Sequence, residues 1–178
     1  MGYMGFGFYG YEIMRRFLIL TTLIMTVLSS CSILSNKQEV SMINSPKIEF
    51  DKIISALDNR DKQKLKSLFS QDSIAKTPNI DKEIDGLFEM YQGKFVSNSS
   101  FDSGGSMGNR ENGKWISLFI SPYIKELKTD KAVYELHFSS VPANYKFPEE
   151  VGLWRIILKL KDGDEVIEEC VVGVGYGA

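Results

Sequence analysis

The sequence predicts an α+β fold, with helices first and a meander of strands after them. The first observation is apolar residues recurring at helical spacing between Phe50 and Tyr91. The second is four runs rich in β-branched and aromatic residues from Trp115 to Val174. The third is that two of the segments joining those runs are short and polar, which makes the strands they connect antiparallel neighbours.

The N-terminal stretch stands apart from that domain. From Met14, Arg15-Arg16 precede an uncharged run, Phe17 to Leu28, and then Ser29-Ser30 and Cys31. These are the charged, apolar and cleavage regions of an export signal, here residues 1–30. The run is shorter than the about 20 apolar residues that span a bilayer. Met1 to Ile13 fits no part of such a signal, and translation is expected to start at Met14. Leu28-Ser29-Ser30-Cys31 resembles the lipobox of bacterial lipoproteins, whose signal is cut just before a cysteine that becomes acylated. The resemblance implies lipidation at Cys31, a place outside the cytoplasm, and the bacterial cell membrane as a partner. Each buried acyl methylene contributes about 0.8 kcal/mol, so two or three chains hold firmly. Residues 31–46 then read as a lipidated cysteine with a flexible polar tether, and residues 47–178 as one domain.

Composition narrows the function. Taking Arg15, Arg16 and Glu12 from the 21 basic and 23 acidic residues leaves 19 against 22 from Cys31 onward. Nucleic-acid binders show a basic stripe; Lys62, Lys64 and Lys66 are interrupted by Asp61 and Leu65 and read as the solvated face of a helix, so no nucleic-acid partner is expected. With Cys31 acylated, Cys170 is left without a disulfide partner and reads as an inert thiol in an apolar strand. One cysteine and the single His137 cannot by themselves fill a four-ligand zinc site. No metal or cofactor is expected.

The elements follow in order. Phe50, Ile53, Ile54 and Leu57 line one face of a first helix. Asn59-Arg60-Asp61 interrupts it, and Asp61 can cap a second, short helix carrying Leu65, Leu68 and Phe69. A third begins after Thr77-Pro78, with Asn79 as N-cap, Asp81 and Glu83 at the positive end of its dipole, and the stripe Ile80, Ile84, Leu87, Phe88 and Tyr91 ahead of Gly93. Phe95-Val96-Ser97 starts a strand, and the Gly, Ser and Asn-rich stretch from Ser99 to Gly113 reads as a loop. Strands are expected at Trp115 to Leu127, Ala132 to Val141, Gly152 to Leu160 and Glu165 to Val174. Lys128 to Lys131 and Lys161 to Asp164 are hairpin turns, and Pro142 to Pro148 is a longer loop.

Leu57 to Asp61, followed by Leu65, Leu68-Phe69-Ser70 and Asp72-Ser73, resembles the opening helical corner of NTF2-like (cystatin-like) domains. That resemblance implies a cone: three N-terminal helices packed on a bent antiparallel sheet. Leu65 to Ser70, Ile84-Asp85-Gly86-Leu87-Phe88 and Val151-Gly152-Leu153-Trp154 further resemble uncharacterised bacterial lipoproteins that share a domain of unknown function, number 5104. The likeness spans most of Phe50 to Val174 and supplies no catalytic residues.

Motifs for chemistry are weak. Gly108 to Lys114 has the glycine and lysine spacing of a phosphate loop, but Trp115 stands where a metal-binding Ser or Thr is required and a strand follows where a helix should. His137 is the ordinary proton carrier near neutral pH; it alternates with Tyr134, Leu136 and Phe138, so it falls on the sheet face opposite theirs, exposed or hydrogen-bonded. Asp72, Tyr91, Asp102, Trp115 and Tyr123 can reach the mouth of a cone, without a spacing that marks an acid–base pair. The aromatic residues Tyr91, Trp115, Tyr123, Tyr134 and Trp154 are the candidates to line a ligand cavity. The expected function is a membrane-anchored, non-catalytic domain that binds a small ligand or another envelope protein. One alternative is an envelope hydrolase or isomerase using Asp72, Tyr91 or His137; another is a structural lipoprotein that pairs with a second copy through its sheet. Replacing Cys31 with Ala is expected to release the protein from membranes and remove acyl mass from its N-terminus; full membrane retention of an unacylated chain refutes the lipidation.

Overall fold

The computed structural model describes residues 45–111 and 114–177. The expected export signal, Cys31 and the tether as far as Asn44 lie outside the described residues, as do the side chains of Ser45, Ser103, Lys114 and Trp115. Four helices are found among the described residues: α1 (Ser45–Asp58), α2 (Lys62–Ser67), α3 (Gln71–Lys76) and α4 (Ile80–Met90). They precede β1 (Phe95–Asn98), β2 (Phe101–Glu111), β3 (Lys114–Thr129), β4 (Val133–Asn144), β5 (Gly152–Asp162) and β6 (Glu165–Gly173), with a 3-10 turn at Pro148–Glu150 ahead of β5. The class is α+β, and the sheet is open and antiparallel. No described helix is long and apolar enough to cross a membrane.

β3, sixteen residues long, organises the sheet. One of its edges takes β1 at Leu127 to Thr129 and β2 at Lys114 to Ile124, and its other edge takes β4; β5 and β6 follow in order. Both expected hairpins form, β3 with β4 and β5 with β6. The helices cover one face, where Ile53, Leu57, Ile84 and Leu87 meet Ile124, Leu127, Leu136, Phe138, Ile156 and Leu158 in one buried cluster.

Local chemistry explains the helical corner. α1 ends with Asp61 N–H donating to Ala56 O and Arg60 N–H to Leu57 O, while Arg60 adopts a φ of 51°. This is a Schellman ending with arginine where glycine is usual. Arg60 is held there because its guanidinium donates to Phe88 O at 2.7 Å and to Tyr91 O at 3.2 Å, capping the C-terminal end of α4. Asp61 then accepts Lys64 N–H at 2.9 Å, the expected N-cap of α2. Lys62 and Lys66 reach Asp85 and Asp81 of α4, at 2.7 and 2.8 Å, in exposed pairs of the kind that adds little.

Three expectations are corrected. The stretch read as a loop from Ser99 to Gly113 holds β2, because the long edge of β3 offers backbone donors and acceptors that must be paired, and glycine and serine supply them as well as valine does. The described residues hold four helices in place of three: α3 is six residues long, too short for apolar periodicity to reveal, and is capped by Ser70, whose side chain accepts Ser73 N–H at 3.0 Å. β4 runs through Pro142 to Asn144, where the loop was expected. Its register against β3 slips between Ser140 and Ala143, and such a bulge tolerates the missing proline N–H.

The start of β5 is pinned to the helical corner. Ser70 N–H donates to Leu153 O at 2.9 Å, and Leu153 N–H to Leu68 O at 2.7 Å. Gly152 has a φ of +131°, and a Cβ there would lie 2.8 Å from both Leu68 O and Ser70 N, so only glycine fits this approach. Phe88, 8% exposed within the cluster, tests the packing of α4. Phe88→Ala is expected to destabilise the protein by about 3 to 5 kcal/mol in urea unfolding; a change within error would mean that the stripe does not pack as described.

Candidate functional site

The five aromatic candidates divide among different surroundings. Tyr91 and Tyr134 lie in the buried cluster, 1% and 0% exposed, their rings stacked at 5.6 Å. Tyr91 donates its hydroxyl to Asp58 Oδ1 at 2.8 Å; burial and the neighbouring carboxylate push its pKa up. The Tyr134 hydroxyl donates to Met90 O at 2.9 Å and accepts Gln92 N–H at 2.8 Å. Both hydroxyls are thus engaged within the fold. Tyr123 is on the opposite face of the sheet, Trp154 is buried near the 3-10 turn, and Trp115 lies on β3 with its side chain outside the described residues. Asp72 sits in the first turn of α3, and Asp102 pairs in register with Tyr123.

On the face away from the helices, strand register assembles a polar network. Tyr123 stands opposite His137, Glu135 opposite Lys159, and Lys159 opposite Glu169. Lys159 Nζ is 3.1 Å from Glu135 Oε1 and 3.6 Å from Glu169 Oε2. Burial pulls the Glu135 carboxyl upward, but the Tyr123 hydroxyl and the Lys159 ammonium outweigh it and hold it below the usual carboxylate range. The hydrogen bond to Glu135 raises Lys159, and burial together with Glu135 pushes Tyr123 up to about 12. His137 Nε2 lies 2.7 Å from Ser121 Oγ. Burial, reinforced by the charges of Arg155 and Lys159, lowers its pKa and favours the neutral ring, whose tautomer sets which partner of the Ser121 contact donates. Cys170, on β6, is half-buried against α4, with its thiol pushed up by burial and by Glu83. No group of three or more His, Cys, Asp or Glu side chains among the described residues is placed to hold a metal.

A cleft of about 380 Å³ opens where β2 and β3 meet the connection between β4 and β5. Its walls are Asn109, Arg110, Glu111, Ile116, Ser117, Asn144, Lys146, Phe147, Glu150 and Tyr176. Glu150 is its hub: Oε2 accepts Asn144 Nδ2–H at 2.7 Å and the Tyr176 hydroxyl at 2.9 Å, and its backbone carbonyl accepts Trp154 Nε1–H at 2.9 Å. Asn144 is buried and its Oδ1 takes the N–H groups of Lys146 and Phe147, both at 3.1 Å. Tyr176 stacks on Phe119 at 5.0 Å and meets the edge of Trp154 at 4.9 Å. The walls combine two cations, two carboxylates and two amides with the apolar faces of Phe147 and Tyr176, and the internal bonds hold the hub in place before any ligand arrives.

Among the described side chains, Tyr91, Tyr123, Tyr134 and Trp154 are not cleft-lining residues. Asn109, Arg110 and Glu111 fell in the stretch read as a loop, and Tyr176 follows the last expected strand. The available signal was Tyr176 itself, an aromatic residue between Gly175 and Gly177 in a segment too small-sided to make a core.

A protein-family model described as Domain of unknown function (DUF5104) matches residues 52–166. No curated protein matches the chain. The three stretches on which the sequence resemblance rests serve the fold: Leu68 and Ser70 bond to Leu153, Gly152 permits that approach, and Ile84, Leu87 and Phe88 lie in the buried cluster.

The depressed pKa of His137 has a sign that can be measured. An unfolded histidine protonates near pH 6.5, before the folded one does, so acidification favours the unfolded chain. Folding stability measured by urea is expected to fall between about pH 7.5 and about pH 5.5, and His137→Gln is expected to lessen that slope. Equal slopes in the two proteins would refute the assignment.

Proposed function

We propose that this chain, which belongs to the DUF5104 family, is a lipid-anchored extracytoplasmic protein whose domain binds a small polar ligand in the cleft around Glu150. The anchor rests on the order Arg15-Arg16, Phe17 to Leu28, Ser29-Ser30 and Cys31. The domain is read as an NTF2-like cone, supported by a helical corner that precedes a bulged antiparallel sheet. The observation that carries the binding reading is the Asn144–Glu150–Tyr176 arrangement, which keeps a carboxylate, an amide and an aromatic face in fixed positions at the cleft wall. A ligand that fits has an apolar face for Phe147 and Tyr176 and hydroxyl or amine groups for the carboxylates and amides. Tyr91, one of the residues the enzymatic alternative relied on, gives its hydroxyl to Asp58, which favours binding over catalysis there.

Native mass spectrometry of the full chain, released gently in detergent from its own cells, is expected to show a stoichiometric small-molecule adduct that is lost from a Glu150→Gln, Tyr176→Ala variant. A bare wild-type chain, or an adduct that survives both substitutions, refutes the cleft. The same spectrum tests pairing with a second copy, a reading supported by the exposed Val166, Ile167 and Val171 on edge strand β6 and requiring the mass of a dimer.

A further inference from the structure

Away from the cleft, one corner of the outer sheet face holds polar groups whose bonding is incomplete. Ser139 and Arg155 are register partners across β4 and β5, so their side chains stand side by side on one face. Ser139 is 3% exposed, and its Oγ has no hydrogen-bond partner. Arg155 is half-buried, and its guanidinium has no hydrogen bond or ion pair among the described residues. The nearby carboxylates are engaged elsewhere, since Glu135 and Glu169 both bond to Lys159.

The surrounding backbone is shaped around this corner. The β4–β5 register slips between Ser139↔Arg155 and Ser140↔Leu153, leaving Trp154 as the extra residue of a bulge beside Arg155. On the other flank, the register running from Ile120↔Ser140 to Tyr123↔His137 sets Ser121 across from Ser139. The Ser121 hydroxyl is 2.7 Å from His137 Nε2. The edge strand comes close here: a Cβ on Gly104 would lie 2.1 Å from Ser121 O and 3.6 Å from His137 Nε2. β2 itself bulges between Ser103 and Ser106, across from Ser121. Bulges of this kind re-aim side chains and recur beside functional sites.

Among the described residues, the buried Ser139 hydroxyl without a partner carries an unmet desolvation cost, the half-buried Arg155 guanidinium without a counter-ion a smaller one, and both are donors. One kind of group meets both needs, an oxyanion: the planar guanidinium fork matches two oxygens of a carboxylate or phosphoryl group, and the Ser139 hydroxyl supplies a further donor. We propose that Arg155 and Ser139, with Ser121 and His137 beside them, form a binding site for the oxyanion of a small ligand. Ser139 is closed to solvent, so entry requires the Arg155 side chain, or the glycine-flanked segment beside it, to turn aside. That segment runs between Gly173 and Gly177, at φ values of +85° and +82°, and a Cβ on its Gly175 would lie 3.9 Å from Arg155 Nη1.

His137 is the single histidine of the chain, so its ring resonances report on this corner without ambiguity. The full chain is titrated in detergent with inorganic phosphate and, separately, with acetate, at constant ionic strength set by chloride, and the ring Cε1–H resonance is followed by NMR. The expected result is a saturable displacement that Arg155→Gln abolishes and that Ser139→Ala weakens by roughly tenfold in affinity. Saturation by phosphate alone assigns the site to a phosphoryl group, by acetate alone to a carboxylate, and by both to oxyanions in general. A wild-type resonance that does not saturate with either probe overturns the proposal, whatever the folding of the variants. So does an affinity unchanged by Arg155→Gln in a variant whose methyl spectrum is that of the folded protein.

Discussion

The tie between the end of α4 and the sheet is the constraint on which the rest of the structure depends. Tyr134, Asp58 and Arg60 anchor it. Tyr134, from the middle of the sheet, gives its hydroxyl to Met90 O and receives Gln92 N–H. Asp58, at the end of α1, accepts the Tyr91 hydroxyl and Phe95 N–H, and its backbone carbonyl receives the Lys94 ammonium. Arg60 caps the last carbonyls of α4 from the other side. Helix α4 therefore ends with partners for its C-terminal groups, and the chain leaves it already directed into β1. A break at Tyr134 would leave a backbone carbonyl and an amide unpaired in a poorly hydrated place, where an unsatisfied group costs about 1 to 3 kcal/mol. The rings of Tyr91 and Tyr134 stack within the buried core between the helices and the sheet.

The orientation of the sheet follows from that tie. With Tyr134, Leu136 and Phe138 committed to the helices, alternation sends Glu135, His137 and Ser139 to the other face. The polar groups that can do chemistry are consequently gathered where no helix lies. The outer face is more than a solvated back: it carries ion pairs, a half-buried imidazole and the aromatic stack of Phe119 and Tyr176.

Much of this fold was legible in the sequence, and its limits have physical reasons. α1 and α4 bury one continuous stripe each, so Phe50 to Leu57 and Ile80 to Phe88 declared their period directly. Asp61 was readable as a cap because its side chain answers a local need, the Lys64 amide. α3 was illegible because six residues make less than two full turns, and the bond that places it, Ser73 Oγ donating to Trp154 O, joins residues far apart in the chain. β2 was illegible because its sequence, Phe101 to Glu111, carries almost none of the branched side chains that mark strands; the demand for pairing came from β3. The candidate site was read least well. Tyr91, Tyr134 and Trp154 were correctly marked as large aromatics, but whether an aromatic fills a core or lines a cleft depends on register and bulges, and these are tertiary facts. Glu150, the hub of the cleft, carries no local signal at all; its role comes from Asn144 and Tyr176 arriving from two other segments.

The makeup of β2 also bears on how the cleft behaves over time. This strand contributes Asn109, Arg110 and Glu111 to one wall, while the opposite wall, Asn144 to Glu150, is rooted in the central strand β4. β2 is paired along β3 and carries Gly104, Gly105 and Gly108, so little side-chain burial holds it in place. Edges of this type exchange their amide hydrogens through local opening at free energies well below that of global unfolding. The two walls therefore differ in how much burial anchors them, an interior strand on one side and a sparsely buried edge strand on the other. The ligand proposed for the cleft would bridge them as a clasp: part of its binding free energy would go to suppressing the opening of the edge, and its presence would be written in the exchange rates of β2 before any change in the core.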